Sequence, residues 1–129
     1  DNGVPTMHAL VIDDSRVMRK LLGRLLTQCG FEVSEAGDGA EGLERLGAGP
    51  LPHLALVDWN MPNMNGVDMI RAVRARRDYD ALRILMVSSE TSPQQVAEAL
   101  QAGADEYLMK PFTAEGLHAK LDMLGLAVA

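Results

Sequence analysis

The chain carries one cysteine, Cys29, so no disulfide can form within it. A fold held by covalent staples is thereby excluded, and a reducing cytoplasm is the expected location. Cys29 itself reads as a small apolar residue near a helix end. No apolar run reaches the length of a bilayer crossing, and the start lacks the charged and apolar segments of a secretory signal, so no membrane insertion is expected. Positive charge is scarce: 12 Lys and Arg stand against 18 Asp and Glu, a formal net charge of −6. Non-specific nucleic-acid binding draws its affinity from cations that neutralise phosphates, so no nucleic-acid partner is expected. The arginine cluster "RAVRARR" (Arg71 to Arg77) falls at the end of a predicted helix and reads as a solvated terminus that suits the helix dipole. After the first apolar run comes "DDSRVM", which offers no glycine-rich loop to cradle a nucleotide. Repeats, low-complexity tracts and linkers are absent as well.

What is present suits one domain, predicted over residues 7–129, with 47% apolar residues to build a core. The opening "DNGVPT", residues 1–6, reads as a leader or an added remnant. Five strands are predicted: "HALVI" (His8 to Ile12), "FEVSEA" (Phe31 to Ala36), "LALV" (Leu54 to Val57), "RILMV" (Arg83 to Val87) and "EYLMK" (Glu106 to Lys110). Three are almost continuously apolar, as in parallel sheets covered by helices on both faces. Between them lie helical patterns. Val17, Met18, Leu21, Leu22, Leu25 and Leu26 form a helical stripe that stops at Gly30. "SPQQVAEALQAG" opens with Ser92 as N-cap, Pro93 in the first turn and Gln95 completing a capping box. Helices are also predicted after Asp38, after Gly66 and from Thr113 to about Leu124. Strand and helix alternate five times, and right-handed crossovers make that an open, doubly wound α/β sheet.

Such sheets gather their functional groups beyond the carboxyl ends of the strands. Strand one ends in Asp13 and Asp14, strand three in Asp58, strand four in Ser88 and strand five in Lys110. Three carboxylates brought together repel unless cations join them. A divalent ion and Lys110 would serve, and an all-oxygen set without His or Cys suits Mg²⁺ over zinc. Asp58, on a central strand, is the candidate nucleophile towards phosphorus, with Asp13 and Asp14 holding the metal. Lys110 and the Ser88 hydroxyl would meet the charge on the phosphoryl oxygens. His8, His53 and His118 are expected to have local structural roles, and Trp59 to lie on the surface.

The order "DD", "DWNMPNMNG", "MVSSE", "KPF" resembles the receiver domain of bacterial two-component response regulators, in particular the single-domain, CheY-like chemotaxis members. The resemblance runs from about Ala9 to the last helix. It implies a flavodoxin-like (βα)5 fold of five helices around a parallel sheet in the order 2-1-3-4-5. Asp58 would take a phosphoryl group from a sensor histidine kinase or a small phosphodonor. Mg²⁺ would be held by Asp14, Asp58 and the Asn60 carbonyl, with Asp13 acting partly through water. Lys110 would pair with the phosphate, and the bond to Pro111 would be cis. Ser88, drawn to the phosphate, would open space for the Tyr107 ring to turn into. The change would reach a face made by strand five and its neighbouring helices, where an unidentified downstream protein would bind. Asn60 and Glu90 match the chemotaxis pattern, which implies a phosphoryl group that hydrolyses fairly quickly. On the fourth helix, Gln and Glu stand where chemotaxis members tend to carry lysines, so the resemblance does not extend to a particular target.

The resulting expectation is a phosphorylation switch that turns over no metabolite. A receiver that shuttles phosphate or regulates a process outside chemotaxis is the alternative. A Mg²⁺-dependent phosphohydrolase of the haloacid dehalogenase type would need D-x-D after the first strand, where the chain has "DDS". A constitutive pseudo-receiver would not need the complete acid set.

Overall fold

The computed structural model describes residues 6–126. Apart from Thr6, the expected leader lies outside the described residues. Ten elements alternate in order: β1 (Met7–Ile12), α1 (Arg16–Gln28), β2 (Phe31–Ala36), α2 (Gly39–Gly47), β3 (Leu54–Val57), α3 (Gly66–Arg74), β4 (Arg83–Ser88), α4 (Pro93–Ala102), β5 (Glu106–Met109) and α5 (Ala114–Met123). A single 3₁₀ turn, Arg77–Tyr79, follows α3. The sheet is parallel throughout, in the order β2-β1-β3-β4-β5. Among the described residues no helix is long and apolar enough to cross a membrane.

Strand side chains alternate between faces, so one sheet builds two cores. Leu10, Ile12, Ala55, Val57, Ile84 and Met86 pack with α2, α3 and α4, through residues such as Leu46, Ile70 and Ala99. Their neighbours Ala9, Val11, Leu54, Leu56, Leu85 and Val87 pack instead with α1 and α5, through Leu22, Leu26, Leu117 and Leu121. Both faces of the central strands are dry, which explains their unbroken apolar runs.

Each helix starts on a side-chain oxygen that accepts an otherwise unpaired backbone N–H: Ser15, Asp38, Asn65, Ser92 and Thr113. Because Ser15 caps α1, neither Asp13 nor Asp14 serves as its N-cap. Gln95 departs from expectation. Its N–H is capped by Ser92 Oγ at 3.2 Å, but its carboxamide accepts from the Ser92 hydroxyl at 2.8 Å and donates onward to Glu90. The reciprocal half of the capping box, closing on the Ser92 N–H, is therefore not formed. His8 and His53, distant in sequence, meet as stacked rings 6.0 Å apart, and the His8 N–H donates to His53 Nδ1 at 3.0 Å.

The arginine cluster divides. Arg71 and Arg76 hold surface ion pairs with Asp68, Glu98 and Asp78, as a solvated terminus should. Arg74 does not. Its guanidinium donates to the carbonyls of Gly103 (3.0 Å), Tyr79 (3.2 Å) and Leu82 (2.8 Å), and to Asp105 (2.9 Å), fastening α3 to the loops that lead into β4 and β5. Asp105 Oδ2 in turn accepts the Ile84 N–H at 2.8 Å. Replacing Arg74 with Ala would leave three carbonyls and a carboxylate without their cation, at a cost of about 2–4 kcal/mol in urea unfolding. Arg74→Lys should recover only a fraction, because one ammonium cannot reproduce a planar fork.

Candidate functional site

The backbone ladder runs one residue past three strands and delivers the chemistry. Asp13 N–H donates to Ala36 (3.1 Å), Asp58 N–H to Ile12 (2.9 Å) and Lys110 N–H to Ser88 (2.9 Å). These bonds fix the three side chains at one edge of the sheet. Asp13 is buried, with Oδ1 accepting the Ser15 N–H at 2.9 Å and Oδ2 accepting Lys110 Nζ at 3.0 Å. Lys110 Nζ also reaches Asp58 Oδ1, at a longer 3.4 Å. Asp58 Oδ1 takes the Trp59 N–H at 2.9 Å as well, while Oδ2 meets no protein donor among the described residues. Asp14 is exposed at the mouth. One carboxylate oxygen from each of Asp13, Asp14 and Asp58 lies within 4.8 Å of the others.

Burial, followed by the charge of Asp13, pushes the Asp58 carboxyl above the ordinary range, and Lys110 only partly offsets them. One lysine for three carboxylates leaves the cluster short of positive charge. The donor set, all oxygen and surplus in negative charge, fits Mg²⁺, which favours carboxylates and keeps several waters. The Asn60 carbonyl fits too, since no backbone donor occupies it among the described residues. A proton and the cation compete for Asp58, so Mg²⁺ affinity should fall as pH drops, approaching about tenfold per unit below the Asp58 pKa. The decline should begin at a higher pH than an ordinary aspartate, near 3.9, would give. Fluorescence of Trp59, next to Asp58, can follow the titration.

The remaining expected residues stand at the same edge. Ser88 is the last residue of β4, wholly buried, and its Oγ accepts the Glu90 N–H at 3.1 Å. Asn60 is exposed, and its carboxamide donates to Glu90 Oε1 at 2.8 Å. The Tyr107 ring is already inside, 6% exposed, with its hydroxyl donating to the Glu90 carbonyl at 2.6 Å. Burial, before any other cause, raises the Tyr107 phenol above its ordinary value. The Lys110–Pro111 bond is cis. Trp59 differs from expectation: it is half-buried and packs on the core beneath α2, α3 and α4, because the chain turns back over the sheet after Asp58.

Two contributors escaped the sequence reading. Gly66 packs so closely on the Asp58 carbonyl that a Cβ there would collide with it, and its N–H donates to the Trp59 carbonyl at 2.8 Å. Gln95, hidden by its apparent capping role, holds Glu90 Oε2 at 3.0 Å. The Asn-Gly pair after "MPNM" was a signal for the first; no short-range pattern marks the second.

The model of the family described as the response regulator receiver domain matches residues 9–122. The chain belongs to this family. The receiver is 42% identical to the chemotaxis protein CheY of Pseudomonas aeruginosa, over 92% of this chain and 95% of that protein. It is 40% identical to the chemotaxis protein CheY1 of Helicobacter pylori, over 92% and 96%. Among solved structures, Vibrio cholerae chemotaxis protein CheY4 superposes with a TM-score of 0.86 at 34% identity, covering 93% of this receiver and 99% of that chain. Receiver domains are signalling switches, phosphorylated by sensor histidine kinases, that bind Mg²⁺ at an acidic pocket. In this receiver the carboxylates of Asp13, Asp14 and Asp58 gather at the ends of β1 and β3.

Proposed function

We propose that this receiver stores a phosphoryl group on Asp58 and thereby switches a protein-binding face in chemotaxis-type signalling. The observation that carries the reading is the asymmetry of the Asp58 carboxylate: Oδ1 is held by Lys110 and Trp59, while Oδ2 meets no protein donor among the described residues. Oδ2 attacks the phosphorus of a phosphohistidine on a sensor kinase, or of a small phosphodonor. The new bond is P–O, the P–N bond breaks, and its electron pair leaves on the imidazole. Bound through Asp14, Asp58, the Asn60 carbonyl and, by way of water, Asp13, Mg²⁺ would neutralise charge on the phosphoryl oxygens. Lys110, already placed between Asp13 and Asp58, moves its ammonium towards the same oxygens. Water later cleaves the acyl phosphate, so the protein handles its own phosphoryl group and turns over no metabolite.

Ser88 connects charge to shape. Turning its hydroxyl to a phosphoryl oxygen gives up the Glu90 N–H. Tyr107 links β5 to Glu90, so the β4–α4 loop responds, and with it the face formed by α4, β5 and α5. That face is where a downstream protein would bind, in the cytoplasm. Phosphorylation acts only through its different interaction with the two arrangements.

The test adds Mg²⁺ and beryllofluoride, a phosphoryl mimic, and maps the amide resonances that shift. Changes spreading from the strand ends to Tyr107, α4 and α5 are expected. Shifts confined to the strand ends would sink the output face, and no shift at all would sink the site.

A further inference from the structure

Glu90 is bonded through all four of its hydrogen-bonding groups, each to a different element. Its N–H goes to Ser88 Oγ on β4 (3.1 Å) and its carbonyl to the Tyr107 hydroxyl on β5 (2.6 Å). Its carboxylate receives Asn60 from the loop after β3 (2.8 Å) and Gln95 from α4 (3.0 Å). Gln95 is itself oriented by the Ser92 hydroxyl, which donates to its carbonyl oxygen at 2.8 Å and thereby turns the amide nitrogen to Glu90. The result is a bridge, Asn60–Glu90–Gln95, from the β3 loop to the first turn of α4. Asn60 lies two residues beyond Asp58, and Glu90 two beyond Ser88, so the bridge crosses the edge of the sheet next to the acceptor carboxylate.

We infer that Gln95 is a positioning residue that sets the lifetime of the acyl phosphate by holding this bridge closed against water. The inference rests on phosphorylation of Asp58. Hydrolysis requires a water oxygen to reach phosphorus opposite the Asp58 oxygen; the P–O bond to Asp58 then breaks, and carboxylate and inorganic phosphate separate, the water protons going to phosphate and solvent. That approach comes from beyond the strand ends, where the bridge lies. A carboxylate locked between two carboxamides narrows the way and keeps a negative charge beside it. Asn60 alone cannot lock Glu90, because it sits on an exposed loop; Gln95, half-buried and braced by Ser92, supplies the fixed end. Tyr107 holds the backbone of the same residue, so displacement of α4 by a bound partner would alter the lifetime as well.

The experiment loads wild type and variants from acetyl phosphate with Mg²⁺, removes the donor and follows loss of the phosphoryl group by intact mass. Gln95→Ala should shorten the lifetime by about fivefold, and Gln95→Glu, which sets two carboxylates face to face, by more. The double swap Glu90→Gln with Gln95→Glu restores one donor facing one acceptor and should return the lifetime most of the way. A merely structural role for Gln95 would give no such recovery. Wild type that loads while Gln95→Ala decays at the same rate, or more slowly, overturns the inference and leaves the phosphorylation reading intact. Wild type that never loads overturns both.

Discussion

Asp58→Asn should take up no phosphoryl group under conditions where the wild type gains one per chain, a loss of at least about 10³-fold in rate. The carboxamide keeps the shape of the side chain and its bond from the Trp59 N–H, but its nitrogen lone pair is delocalised and its oxygen bears no charge. Unfolding would not explain the loss, because the same substitution should stabilise the metal-free protein by roughly 1 kcal/mol near neutral pH. The sign follows from the raised Asp58 pKa, caused by burial and then by Asp13. Ionised Asp58 disfavours the folded state at every pH above its folded pKa. As pH falls through that value the penalty disappears, and the two stabilities should converge. Intact mass after acetyl phosphate and Mg²⁺ reads the first effect, and urea unfolding against pH reads the second. Modification elsewhere at equal yield, or an Asn variant less stable than wild type, would contradict this account of the site.

The largest effect on folding is expected at Gly66. A methyl there meets the Asp58 carbonyl oxygen and carbon and the Val57 side chain, two of the three contacts being backbone that cannot rotate away. Gly66→Ala should lower stability by about 3–5 kcal/mol despite the roughly 1 kcal/mol that Ala gains over Gly inside a helix. Gly49→Ala meets nothing within 4 Å and should stay within about 0.5 kcal/mol of wild type. Comparing the two by urea unfolding separates the close approach from the loss of a glycine as such. Because Gly66 presses on the residue that carries the nucleophile, Mg²⁺ binding should weaken wherever Gly66→Ala still folds.

Legibility followed the range of the interaction that fixes each feature. The central strand runs reported themselves because the sheet there is dry on both faces: Leu54–Val57 was found to the residue. So was the edge strand Phe31–Ala36, although Glu32 and Ser34 are exposed. The strand-end acids and Lys110 were legible because topology alone carries them to one edge. Ser88 was read as lying just past the run Arg83–Val87 and proved to be the last residue of β4, since a small hydroxyl can finish a buried run without breaking the ladder. Arg74 looked like its exposed neighbours Arg71 and Arg76; only the approach of Gly103, Leu82 and Asp105 distinguishes it. Gln95 matched a local capping pattern well enough to conceal a longer-range partner. Trp59 and the His8–His53 stack depend on how loops fold back, which no periodicity records.

The sheet is also a partition. Tyr107 belongs to the compartment shared with α2, α3 and α4, while the next residue, Leu108, belongs to the one shared with α1 and α5. A rearrangement of the Tyr107 ring is therefore felt first in the core beneath α2, α3 and α4, and reaches α5 only by way of β5 itself.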